Sequence, residues 1–106
     1  MISKDTIQKA IGLLAEQSAV QRVILFGSYA RGTAREDSDL DFLVIESGLK
    51  SRRAEMVRLR AALRPIGVPV DVMVVDAEQF EIWKNQPGTA LFEAAQYGQV
   101  VYERAG

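Results

Sequence analysis

Residues 20–26 are rich in β-branched and apolar side chains and stop at Gly27-Ser28. A second apolar run, Phe42-Leu43-Val44-Ile45, is opened by Ser38-Asp39-Leu40-Asp41. Each run reads as a strand. The turn lies at the C-terminal end of the first strand, and the two carboxylates lie at the start of the second. They can share one site only if the strands run antiparallel. A third strand, residues 70–75, carries Asp71 near its start. It follows a long helical segment over 50–64, and such a crossover favours a parallel pair. Asp71 then reaches the same sheet edge as Asp39 and Asp41. The expected fold is α/β (α+β): one domain over residues 1–106, a small mixed sheet with helices packed on it.

The remaining elements fit this frame. Residues 5–17 place Ile7, Ala10, Ile11 and Leu14 on one face, with Asp5 and Gln8 as a capping-box-like start. Ser28 is placed to cap a short helix that runs to about Gly32. The helix over 50–64 turns Met56, Leu59 and Leu63 inward and ends at Pro65-Ile66-Gly67. Asp76 to Gln79 opens another helix, and Pro87-Gly88 interrupts it. A last helix covers about 89–97 with Gly98 as C-cap, and Val100-Val101-Tyr102 reads as a terminal strand.

Composition narrows the chemistry. The chain has 106 residues, no cysteine and no histidine. Disulfides, thiol nucleophiles and imidazole bases are therefore absent, and carboxylates must act as base and metal ligand. That set suits hard, oxygen-seeking ions such as Mg²⁺. With 13 basic against 14 acidic residues, a nucleic-acid-coating role is excluded, so any polyanion contact must be local. No apolar stretch reaches the length of a membrane span, and the N-terminus does not open a signal peptide, so the expected location is the cytoplasm.

Asp39 and Asp41 alternate onto one strand face, about 7 Å apart. A solvated strand start also carries aspartates; a bound cation is the reading that explains two like charges entering an apolar strand. Asp71 sits between valines, where a carboxylate needs a metal or a salt bridge, with Arg22 or Arg31 as candidate partners. Gly27 lets the backbone approach a phosphate closely, and Ser28 adds a donor at a helix start. Gly27 and Gly32 have P-loop spacing, but Thr33 stands where that motif requires lysine. Arg31 and Arg35 follow the turn and could neutralise phosphates. Tyr29 could pack near a base, and the basic helix over 50–64 reads as a solvated face.

Gly27-Ser28, ten intervening residues and Asp39-Leu40-Asp41 resemble the signature of the polymerase-β-like nucleotidyltransferase superfamily. Gly27-Ser28-Tyr29-Ala30-Arg31-Gly32 with Ser38-Asp39-Leu40-Asp41-Phe42-Leu43-Val44 is similar to the minimal nucleotidyltransferase (MNT) domains. The resemblance implies two Mg²⁺ ions held by Asp39, Asp41 and Asp71, with Asp71 also helping to deprotonate an acceptor hydroxyl. It implies β- and γ-phosphates at Gly27 and Ser28, with Arg31 in support, and ATP as substrate. Free-standing MNT proteins act as antitoxins of HEPN-family toxins, and some transfer AMP to a toxin tyrosine. Two alternatives stay open: a binder that neutralises its partner by occlusion, and a subunit that nucleotidylates RNA or a metabolite. The balanced charge speaks against RNA as the main partner.

Overall fold

In the computed structural model, which describes residues 1–105, the chain runs α1 (Lys4–Ala15), β1 (Val20–Phe26), α2 (Ser28–Arg31) and β2 (Leu40–Glu46). It continues with α3 (Arg52–Ala62), a 3-10 turn (Arg64–Ile66), β3 (Val70–Asp76), α4 (Ala77–Trp83), α5 (Ala90–Tyr97) and β4 (Gln99–Glu103). The sheet order is β3-β2-β1-β4. β1 and β2 are antiparallel, β2 and β3 parallel, and β4 adds antiparallel to β1. The expected mixed sheet is therefore present, with the turn and all three aspartates at one end.

Alternation along the strands divides the core in two. Val23, Leu25, Phe42, Val44, Val72 and Val74 pack against α1 and α3. Ile24, Leu43, Ile45 and Val75 pack against Phe80 of α4 and Ala94 of α5. α5 lies so close to β1 that a Cβ on Gly98 would stand 2.4 Å from the Ala94 carbonyl and 2.6 Å from Ile24. Glycine at that position is a packing requirement, since its φ of −81° is open to any residue.

Local chemistry moved several boundaries. α1 is capped by Ser3, whose hydroxyl accepts from the Thr6 amide at 3.1 Å. Asp5 therefore sits within the first turn, where its charge meets the positive end of the helix, rather than at a capping box. Ser51 caps α3 in the same way through the Ala54 amide, and Pro65 turns the chain's end of that helix into the 3-10 turn. Tyr29 does not stand free for a base. Its ring packs on the core, and its hydroxyl accepts from the Ile2 amide at 2.8 Å.

Candidate active site

β1 ends where Gly27 takes φ +74° and ψ −153°, a conformation that side chains disfavour. Gly27, not Ser28, is the N-cap, and Ser28 is the first helical residue with no side-chain capping bond. The first intrahelical bond runs from the Arg31 amide to the Gly27 carbonyl at 3.1 Å. The amides of Ser28, Tyr29 and Ala30 therefore precede the hydrogen-bonded ladder. A Cβ on Gly27 would lie 2.3 Å from Asp41 Oδ2. The turn and the carboxylate are thus in direct contact, which only a residue without a side chain allows.

Phe26 is paired with Asp41, and Asp41 with Asp71. Parallel neighbours in register lie about 4.8 Å apart. Asp39, Asp41 and Asp71 have the parity of Leu43, Ile45 and Val75, so they face the α4–α5 side of the sheet. The Leu40 amide donates to the Pro69 carbonyl at 3.1 Å and ties the starts of β2 and β3, while Ser38 Oγ accepts from the Arg35 amide at 2.9 Å and closes the loop before Asp39.

The electrostatics follow from this crowding. Asp41 is half-buried, and burial pushes its carboxyl above the ordinary range, with the charges of Asp71 and Asp39 adding to the push. Asp71 is not the buried charge its sequence neighbours suggested. It is exposed because β3 is an edge strand, and its partner is Arg60 at 3.2 Å. The sequence candidates for that role are engaged elsewhere, Arg22 with Glu103 and Arg31 with Glu93. Arg60 was visible in the sequence only as one of several cations on the basic helix. The short link through Pro65 to Val70 is what brings it to the start of β3.

A half-buried Asp41 carboxylate that also feels the charges of Asp71 and Asp39, in an oxygen-only donor set, fits a hard divalent cation. Among the described residues no three carboxylates stand close enough to form a ready metal cage, and Asp71 is bonded to Arg60. A cavity of about 480 Å³ is lined by Leu49, Val75, Asp76, Trp83 and Leu91 near the opposite end of β3, and none of the three aspartates lines it.

Residues 7–97 match the nucleotidyltransferase domain family. A provisionally named protein adenylyltransferase of Methanocaldococcus jannaschii is 38% identical over 74 residues, covering 69% of this chain and 78% of the relative. Another from the same organism is 64% identical over 33 residues, 31% of this chain and 22% of that longer relative. A provisionally assigned nucleotidyltransferase of Sulfolobus solfataricus shares the fold, with TM-score 0.60 and 21% identity over 97% of this chain and 91% of that one. So does a solved complex of a tri-AMPylated Shewanella oneidensis HEPN toxin with an MNT antitoxin, with TM-score 0.55 and 20% identity over 97% and 74%. The match across most of the sequence, on a sheet that joins the Gly27–Ser28 turn to Asp41 and Asp71, places this chain in the nucleotidyltransferase domain family.

Proposed function

We propose that this chain transfers AMP from ATP to a tyrosine hydroxyl of a HEPN-type partner and so acts as its antitoxin in the cytoplasm. The observation that carries the reading is the contact between the Gly27 backbone and Asp41, with Asp71 in register beside it. It sets a turn with three amides outside the helical ladder against Asp41, with Asp71 on the next strand, a juxtaposition that suits an ATP–metal complex. The names of the adenylyltransferase relatives and the HEPN complex among the fold neighbours support the choice of ATP and partner.

In this reading the amides after Gly27 and the Ser28 hydroxyl hold the β- and γ-phosphates, and Arg31 offsets their charge. Asp39, Asp41 and Asp71 would hold two Mg²⁺ ions, whose chemistry there would be to neutralise phosphate charge. Asp71, on the open edge of the sheet, accepts the proton of the incoming hydroxyl. The tyrosine oxygen bonds to the α-phosphorus, the bond from that phosphorus to the α–β bridging oxygen breaks, and pyrophosphate leaves. Positioning and charge neutralisation supply the rate.

A second reading, neutralisation by occlusion, draws on the internal engagement of Asp71 by Arg60 and of Arg31 by Glu93. Intact mass spectrometry separates the two. A cognate HEPN-type protein incubated with this chain, Mg²⁺ and ATP should gain one or more AMP units. An Asp39→Asn/Asp41→Asn double variant should give none. A stable complex with no mass gain from the wild type would overturn the transferase reading in favour of occlusion.

A further inference from the structure

Arg31 is gripped by two residues of α5. Its Nη2 donates to the Glu93 carboxylate, and its guanidinium carbon stands 5.0 Å from the centre of the Tyr97 ring. Glu93 and Tyr97 are one helical turn apart and share a face of α5. Just beyond them, the side-chain Nε2 of Gln99 donates to the Ala30 carbonyl at 3.3 Å. The flank of α2 is therefore tied to the C-terminal segment at three points. That segment is itself seated firmly, because Ala94 is buried against the sheet and Gly98 admits no side chain.

The grip leaves most of the guanidinium available. Among the described residues its hydrogen bonding to Glu93 uses one terminal nitrogen, so Nε and Nη1 are uncommitted. An arginine free in solvent must lose rotamer entropy when it is fixed on a ligand. A carboxylate on one nitrogen and an aromatic face below the plane restrict that freedom before a ligand arrives. Neither contact blocks the remaining donors.

We infer that Glu93 and Tyr97 are positioning residues for Arg31, presenting its uncommitted N–H donors to the triphosphate of a nucleotide bound at the Gly27–Ser28 turn. The inference rests on the proposed reading of that turn as a phosphate site and adds to it the support of its arginine. Glu93 carries a negative charge beside an anion site, so a parking role that competes with nucleotide is the alternative a measurement must separate.

Calorimetric titration of the full chain with Mg²⁺ and the non-hydrolysable analogue AMP-PNP tests this. Arg31→Ala should weaken binding roughly 10-fold, as expected for a charged hydrogen bond. Glu93→Ala and Tyr97→Ala should each weaken it roughly 2- to 5-fold. Tyr97→Phe, which keeps the ring, should bind as wild type. In an Arg31→Ala background neither alanine change should weaken binding further, a dependence that a purely structural role would not produce. Both side chains are about half exposed, so thermal unfolding should be unchanged. Wild-type or tighter binding by Glu93→Ala would overturn the inference, as would an equal loss in the Arg31→Ala background. Unchanged binding by Arg31→Ala would overturn it while leaving the phosphate reading of the turn intact. No binding by the wild-type chain would remove the proposed function itself, and the inference with it.

Discussion

Glu46→Gln should make this protein more stable above neutral pH and leave it nearly unchanged in mild acid. Glu46 is the last residue of β2 and is 2% exposed, and its Oε2 has no hydrogen-bond partner. It faces α3, where the Glu55 carboxylate accepts from two nitrogens of Arg58 at 2.7 Å each. Arg58 also reaches the Gln17 side chain. Burial, the hydrogen bond with Glu55 and the Glu55 charge push Glu46 up to about 7, while Arg58 chiefly holds Glu55 down to about 2. The pair thus shares one proton, carried by Glu46.

The signs are opposite for the two groups. Glu46 titrates higher in the fold than its ordinary 4.5, so its contribution is complete below pH 4.5 and is lost as pH rises through about 7. Glu55 titrates lower, so its contribution is present above pH 4.5 and is lost as pH falls toward 2. A displacement from 4.5 to about 7, at about 1.4 kcal/mol per unit, sets an upper cost of about 3–4 kcal/mol for the ionised Glu46. Glutamine keeps the shape, donates an amide N–H to Glu55 and does not titrate. The variant should gain about 2 kcal/mol at pH 8.5, or roughly 10 °C in Tm, and less than about 0.5 kcal/mol at pH 5. Urea unfolding followed by circular dichroism at both pH values is the assay. Equal effects at the two pH values, or a loss at pH 8.5, would refute the shared-proton account.

Asp41→Asn removes a carboxylate that burial, and then the charges of Asp71 and Asp39, make costly to ionise; thermal unfolding at neutral pH without metal should show a more stable variant, while AMP transfer to a partner is abolished. A less stable variant would show that the ionised Asp41 carboxylate carries no net cost in the fold. Gly27→Ala drives a Cβ into Asp41 Oδ2 at a positive φ, and should cost about 2 kcal/mol or more in urea unfolding and also weaken AMP-PNP binding. Gly98→Ala meets the Ala94 carbonyl and Ile24 at an ordinary φ. It should cost about 1–3 kcal/mol by pushing α5 off β1, and wild-type stability would contradict the close seating of that helix.

The strands and the turn were legible in the sequence because they are local. The apolar run over 20–26 is β1; the antiparallel pairing followed from where Gly27 and Asp41 fall along their strands, and the parallel one from the helical crossover over 50–64. Helix caps were less legible. Ser3, Asp5 and Gln8 all carry capping chemistry, and the choice of Ser3 depends on where the N-terminus is anchored, which Tyr29 decides from 27 residues away.

The partners of the charged groups belong wholly to the tertiary structure. β4 could have covered either edge of the sheet, and it joined β1, which left β3 as an edge and Asp71 exposed to meet Arg60. The same docking of the C-terminal segment placed Glu93 and Tyr97 on Arg31 and so removed Arg31 as a partner for Asp71. Sequence by itself determined at which end of each strand Gly27, Asp41 and Asp71 stand and which sheet face the two strand aspartates share, since side-chain alternation and turn conformation are properties of neighbouring residues. Which cation meets which carboxylate, and which carboxylate is buried, was decided by strand order and helix docking, where residues far apart in the chain compete for the same few ångströms.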